Sequence, residues 1–395
     1  MPKPDALPRL DAVPKIQSSN LARTERAVRD ALVTKHYHRN VIAALDGTPL
    51  VEPTGGIARY TAELSLALAN CFEEDQWCLI SDQPVEVPAG APPNLHVSAG
   101  KRRKLSRRWW LFGASMELVR LGAKIFHGTD FAVPYMTVCP TVMTVHDLSP
   151  WADPPVRAAS SRVRRRAPWL LRLGLARMIV TPSEAVRREV MEHFNISPDC
   201  IVATPLAAAA CFQPMAADPP KRPYFLFAGT LDTRKNIDTI VAAWREIRRD
   251  CEVDLILAGR HRTAKIEDEP GLTVLENVSD SELAHLYSNA TAFLFPSHYE
   301  GFGLPVLEAM QCGAPVIASR DPAVMEVAGS AAVLIDATDT RAWSETMKTV
   351  LSDEEWRANL RQRGFTRARC FSWEATARLT REVYAEAIAR FKRKT

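Results

Sequence analysis

The chain has 395 residues, 47% of them hydrophobic and 24% charged, with a formal net charge of +4. That length suits two domains better than one core, and the balance of apolar and charged residues excludes disorder on a large scale. Residues 1–215 carry 26 Lys+Arg against 20 Asp+Glu and the remainder 24 against 26, so the positive excess lies in the first half. It marks either ordinary surface patterning or a region that meets phosphate groups or an anionic membrane.

Eight cysteines are scattered, none in CxxC spacing, and several sit in apolar runs where a reduced thiol acts as a small hydrophobe; a reducing compartment is expected. The first residues lack the apolar core of a secretory signal, and no stretch approaches the roughly 20 apolar residues of a membrane helix. The expectation is a cytoplasmic protein that touches a membrane, if at all, from outside.

Residues 1–39 read as an N-terminal extension: a proline-containing lead, then helical composition from Leu21 to His36. A first domain is placed at 40–215. NVIAALDG is a strand ended by Asp46-Gly47, and Gly55-Gly56 precede a helix with Ile57, Tyr60, Leu64 and Leu68 on one face. Strand-like runs follow at CLISD, KIFHG, TVMTVHD and RMIVTPS. Prolines cluster at 211–223, where apolar periodicity stops, so the linker belongs there. A second domain, 216–372, repeats the alternation: YFLFAGT, helix IDTIVAAWREI, VDLILAG, LTVLEN, helix DSELAHLYSNA, AFLFPS, helix PVLEAMQCG, PVIAS and AAVLID. Strands too apolar to keep one wet face argue for parallel sheets covered on both sides, and thus for two doubly wound α/β units with a ligand crevice at the carboxyl ends of their strands. Residues 373–395 read as a final helix that crosses back onto the first domain.

The chemistry concentrates in PSHYEGFGLPVLEAMQCG, residues 296–313. A buried strand ends, Gly301 and Gly303 permit close backbone approach, and Pro305 opens a helix. The amides of Phe302, Gly303 and Leu304 then lie at a helix N-terminus, an anion site suited to a diphosphate. Glu300 before the turn and Glu308 after it can face opposite ends of one bound molecule, with Glu308 accepting two ribose hydroxyls. Alternatively, Glu308 only complements the helix dipole. In the same domain FLFAGTLDTRKNID delivers Arg234 and Lys235 after the strand ending at Gly229, two cations fit to clamp a phosphate.

EGFGLPVLEAM, with its glutamates eight positions apart, and GTLDTRKN together resemble the retaining GT-B glycosyltransferases of family 4. The similarity runs over about residues 41–390 and includes GGIARYT, HGTDFAVP, VMTVHDLSPW, VTPSEAVRREV and FSWEATARLTREVY. The resemblance implies two Rossmann-like domains facing across a cleft. It implies that Glu308 binds the nucleotide ribose and Glu300 the transferred sugar, while Lys235 and Arg234 neutralise the leaving diphosphate with the amides of Gly301 to Leu304. Gly55 and Gly56 would approach the donor across the cleft, and His146 matches the family's sugar-facing histidine. Where many relatives have Arg after the glycine at 229, this chain has Thr230, so the division of labour between Arg234 and Lys235 is open.

His127 and Asp130 end a strand and either line the acceptor side or are structural. Asp147 orders the loop beside His146, and Ser183 fits a helix N-cap. No histidine shows metal-ligand spacing, so no metal and no other cofactor is expected. KRRKLSRRWWLF at 101–112 sets six cations, Arg107 and Arg108 among them, beside Trp109 and Trp110, and RVRRR follows at 162–166. These segments suit an anionic membrane surface or a solvated face, and no nucleic-acid module accompanies them. The reading is therefore transfer of a hexosyl unit such as mannosyl, with retention, from a nucleotide diphosphate sugar to a glycan or polyprenyl-linked acceptor in cell-envelope polysaccharide assembly. An epimerase or phosphorylase of the same fold, or a non-catalytic sugar-binding relative, is the alternative. A dinucleotide oxidoreductase is disfavoured because no GxGxxG follows a first strand.

Overall fold

The computed structural model describes residues 41–52, 55–98, 108–153, 160–216, 220–260 and 269–392. The expected N-terminal lead and helix, Arg107 and the rest of the basic run at 101–107 lie outside them.

Seven parallel strands form the first sheet: β1 (Ile42–Asp46), β2 (Gln76–Ile80), β3 (Leu95–Val97), β4 (Ile125–Gly128), β5 (Thr141–Thr144), β6 (Met178–Thr181) and β7 (Ile201–Ala203), in spatial order β3-β2-β1-β4-β5-β6-β7. Six more form the second: β8 (Tyr224–Ala228), β9 (Asp254–Ala258), β10 (Leu272–Leu275), β11 (Ala292–Phe295), β12 (Val316–Ser319) and β13 (Val333–Ile335), in order β10-β9-β8-β11-β12-β13. Both expected doubly wound units are present. In the central strands β4, β5, β6, β8, β11 and β12 every residue is buried, because helices cover both faces. Strand order reverses between β1 and β4 and again between β8 and β11, and ligands bind in α/β sheets outside such reversals.

Among the described residues three hydrophobic clusters form the core. One, around Phe126, Met143 and Leu170, fills the outer layer of the first sheet, and another, around Phe227, Trp244 and Trp343, that of the second. The third is continuous across both halves: Leu64 and Trp77 of the first join Phe212 of the connection and Tyr287, Phe295 and Leu307 of the second. The final helix, Trp373–Lys392, packs on the first half although its sequence follows the second. Arg381 Nε donates to the Asp75 carboxylate at 2.9 Å with both side chains buried, and Tyr384 OH meets His127 Nδ1 at 2.7 Å.

Candidate active site

After β8 the chain passes Gly229 and Thr230 and turns tightly at Thr233–Lys235. Asp232 fixes that turn: its carboxylate accepts the Lys235 amide at 3.2 Å and the Thr230 hydroxyl at 3.0 Å. Asn236 follows in the left-handed region, φ 52°, and its side-chain amide donates to the carbonyls of Pro296 and Ala337, binding the turn to the segments after β11 and β13. The result is a Lys235 only 7% exposed whose Nζ lies 2.5 Å from Glu300 Oε1. Arg234 Nη1 donates to Glu300 Oε2 at 3.3 Å and to the Tyr299 carbonyl at 2.8 Å. Burial alone would raise the Glu300 carboxyl, but the charges of Lys235 and Arg234 prevail and hold it below the usual carboxylate range.

The turn after β11 is held from both sides. Asp321 accepts the Glu300 amide at 3.2 Å and caps helix Pro322–Ala328 with its other oxygen, at 2.9 and 3.0 Å. Burial pushes the Asp321 carboxyl up to about 7. Gly301 sits so close to the first half that a Cβ there would lie 2.1 Å from the His146 carbonyl oxygen, so only glycine fits. Gly303, φ 99°, starts helix Leu304–Cys312 with Pro305 in its first turn. Among the described residues the amides of Phe302, Gly303 and Leu304 have no protein acceptor, an arrangement able to receive an anion. Glu308, 5% exposed, has its Oε1 3.0 Å from Arg59 Nη1 and its Oε2 3.3 Å from Tyr287 OH. Burial pushes its carboxyl up to about 6, against the pull of Arg59.

His146 faces this turn from the first half. Its Nε2 lies 2.7 Å from the Thr129 carbonyl oxygen, which can only accept, so that nitrogen carries the proton. The ring stands edge-on to Tyr60, centroids 4.9 Å apart. Gly55 and Gly56 begin helix Gly56–Cys71, and a Cβ at either would meet nothing within 4 Å. Asp147 accepts from the Ser149 amide and hydroxyl at 2.9 and 2.7 Å and so orders its loop. Ser183 caps helix Glu184–Phe194 by accepting the Val186 amide at 3.2 Å, and its hydroxyl also donates to the Gly301 carbonyl at 2.8 Å.

The structure thus brings Arg234, Lys235, Glu300, the 301–304 turn, Glu308 and His146 to one crevice between the sheets. It does not bring His127 there. That imidazole is 0% exposed, and its ring nitrogens meet Tyr384 OH and Thr144 Oγ1, both at 2.7 Å; burial, with His146 nearby, depresses it to about 3 and keeps it neutral. Trp109 is likewise buried and not an acceptor or membrane contact, because the wide helical turn Trp109–Gly113 inserts it beneath the outer layer; Arg108 is exposed. Asp130 stays beside the crevice, its carboxyl raised by burial against the opposing pull of His146 and Arg166. Sequence reasoning missed Arg59, Tyr287, Asp321 and Tyr299, whose hydroxyl donates to Glu189 at 2.7 Å and accepts the Leu148 amide at 2.7 Å. Only Arg59 left a signal, as the sole Lys or Arg between Arg39 and Lys101. Among the described residues no three His, Cys, Asp or Glu side chains gather as metal ligands.

Two parallel doubly wound sheets with a site between their carboxyl ends define the GT-B class of glycosyltransferases. Residues 54–207 match the family described as Glycosyltransferase Family 4, and residues 214–367 the one described as Glycosyl transferases group 1. The O-antigen chain mannosyltransferase B of Escherichia coli is 30% identical over 377 residues, which cover 85% of this chain and 97% of the relative. The D-inositol 3-phosphate glycosyltransferase of Paenarthrobacter aurescens is 27% identical, with 88% and 97% covered. Among solved structures, sucrose-phosphate synthase from Thermosynechococcus elongatus superposes with a TM-score of 0.70 at 21% identity, covering 89% of this chain and all of that one. This chain belongs to glycosyltransferase family 4 and is a glycosyltransferase.

Proposed function

We propose that the enzyme transfers a hexosyl unit, mannosyl foremost, from a nucleotide diphosphate sugar to a hydroxyl of a glycan or lipid-linked acceptor in cell-envelope polysaccharide assembly, with retention at the anomeric carbon. The observation that carries the reading is the convergence of Lys235, Arg234 and the unpaired amides of Phe302 to Leu304 on one crevice. Breaking a glycosyl–phosphate bond releases a diphosphate, and fixed cations and dipoles aimed at that charge lower the barrier without reorganising. Glu300, kept ionised by the two cations, is placed to accept hydroxyls of the sugar, and Glu308 those of the ribose. With the proton of His146 on Nε2, its Nδ1 accepts a further sugar hydroxyl. Mannose and polysaccharide assembly are favoured by the Escherichia coli relative, an O-antigen chain mannosyltransferase covered almost end to end.

A membrane-associated acceptor is part of the proposal. On helix Ser161–Arg172 and just beyond it, Trp169 and Leu173 are 59% and 62% exposed, while Arg162, Arg164, Arg165 and Arg172 around them are also exposed. Exposed apolar side chains among arginines match an anionic bilayer surface. Among the described residues no helix is long and apolar enough to cross a membrane, so contact would be peripheral.

The test is donor-dependent sugar transfer with GDP-mannose, UDP-glucose and UDP-N-acetylglucosamine, following nucleotide release with and without a polyprenyl-linked glycan. The wild type should release nucleotide from one donor only when acceptor is present. The Lys235→Ala variant should turn over roughly 100-fold slower or more, the scale of losing one preorganised charge contact. Release without acceptor, or conversion of the donor itself, would replace transferase with hydrolase or epimerase. Near-normal turnover in the variant removes the clamp.

A further inference from the structure

Arg59 is an isolated cation that does not face solvent freely. In the first turn of helix Gly56–Cys71 its guanidinium donates through Nη1 to Glu308 Oε1 at 3.0 Å and through Nη2 to Asp280 Oδ1 at 2.6 Å. Its Cζ lies 4.9 Å above the Phe212 ring. The helix belongs to the first half, Glu308 and Asp280 to two helices of the second, and Phe212 to the connection between them. One side chain therefore ties three segments at the edge of the donor crevice.

We propose that Arg59 is a positioning residue for the donor, a latch across the crevice that keeps the Glu308 carboxylate charged and aimed while the nucleotide's ribose docks on it. The inference rests on the reading of Glu308 as the ribose acceptor given above.

Lone-pair counting supports it. A carboxylate offers about four acceptor sites, two on each oxygen. Arg59 occupies one on Oε1 and Tyr287 one on Oε2. One site remains on each oxygen, which is what the two neighbouring hydroxyls of a ribose require. A protonated carboxyl would turn one oxygen into a donor and spoil that match, so ionisation of Glu308 matters. Burial opposes it and so does Asp280, whereas Arg59 is the nearby cation that favours it. The other titratable neighbours are Glu63 on the helix of Arg59, Cys211 before Phe212, and Tyr287 and Cys312 beside Glu308. None of them supplies a positive charge.

The sign of the pH effect follows. Donor binding fails as pH falls and Glu308 takes a proton. Removing Arg59 takes away the group that holds the carboxyl down, so binding should fail at a higher pH. Removing the Asp280 charge should move the midpoint the other way. A purely architectural latch would shift neither.

The experiment is calorimetric titration of GDP-mannose and UDP-glucose from pH 5 to 8, with KM and kcat measured alongside. Arg59→Ala should weaken the accepted donor about tenfold or more at pH 7, the scale of a lost charge-assisted contact, with KM rising more than kcat falls. Its pH midpoint should lie above that of the wild type, Arg59→Lys should recover part of the loss, and Asp280→Asn should lie below the wild type. In a Glu308→Gln background the Arg59→Ala change should add less than about twofold, because the two residues act as one unit. Unmoved midpoints in Arg59→Ala and Asp280→Asn, or full additivity with Glu308→Gln, overturn the latch while leaving the donor reading intact. A wild type that binds no nucleotide diphosphate sugar overturns that reading and the latch together.

Discussion

Glu300 and Glu308 stand eight positions apart in one motif, yet their surroundings push them in opposite directions. Glu300 meets two cations and is depressed; Glu308 meets one cation, one competing carboxylate and a phenol, and burial raises it to about 6. Asp46, at the end of β1, is the extreme case. Its Oδ1 accepts the Thr48 amide and hydroxyl at 3.0 and 2.6 Å, but burial, with Asp130 adding repulsion, pushes it up to about 7. The unfolded chain would release that proton near the ordinary value of about 4. Between roughly pH 4 and 7 the folded state therefore holds a proton that the unfolded state has lost, and stability falls as pH rises through that window. Asn at 46 can keep both Thr48 bonds through its oxygen and cannot ionise. Urea midpoints of Asp46→Asn should gain on the wild type from pH 5 to pH 8, by on the order of a few kcal/mol at most. Two parallel pH profiles would show that Asp46 titrates normally.

At the scale of elements, legibility in the sequence followed period and length. Helix Ile237–Ile247 was read to the residue, because Ile237, Ile240, Val241, Ala243, Trp244 and Ile247 are all buried on one amphipathic face. The edge strands β3 and β7, three residues each, are not legible in the sequence, whereas the equally short β13 is, because it lies in the apolar run AAVLID. The candidate site divides in the same way. Arg234, Lys235, Glu300 and Glu308 lie in two short local motifs, whereas Arg59 reaches Glu308 across 249 positions and Tyr384 reaches His127 across 257. Such pairings exist only once the sheets face each other and the last helix has returned, and no local pattern encodes them. Helix Ser161–Arg172 is a further element whose role its residues suggest. Trp169 lies three positions beyond Arg166 and Leu173 four beyond Trp169, on one helical face, while Ala167, Leu170 and Leu171 are turned into the core. Vesicles containing about one-third anionic lipid should sediment the wild type at low salt, and 0.5 M salt should weaken the contact, since surface charge is screened within a few ångströms there. Replacing Trp169 and Leu173 by serine should reduce binding roughly tenfold by removing apolar burial. A wild type that ignores such vesicles ends the membrane proposal.

For the whole molecule, the decisive feature is how tightly the turn after β11 is docked onto the opposite half. Tyr299 reaches Glu189 and the Leu148 amide, the Gly301 carbonyl takes the Ser183 hydroxyl, and Glu326 accepts the amides of Glu184 and Ala185 at 3.0 and 3.1 Å. The contacts of Tyr299 and Gly301 cross the crevice within two residues of Glu300, and Glu326 adds a further one from helix Pro322–Ala328. Side chains make those links, but Gly301 itself lies against the His146 carbonyl, backbone to backbone, so the spacing of His146 from the turn depends on that close approach. Gly301→Ala tests this directly, because its methyl group would sit 2.1 Å from the His146 carbonyl oxygen, a backbone atom that cannot rotate away. The halves must part locally or the turn must deform, and displacements of about 1 Å near reacting groups cost roughly 100-fold in rate. The stability loss should be that of a modest overpacking, about 1–3 kcal/mol. Lys235, Arg234 and Glu300 keep their mutual contacts within the second half, so nucleotide diphosphate affinity should change much less than turnover. Isothermal titration with the free nucleotide diphosphate and single-turnover rates with the full donor separate the two. If turnover stays within about threefold of wild type, the close approach at Gly301 is only a packing contact, and alignment of the two halves must be set elsewhere.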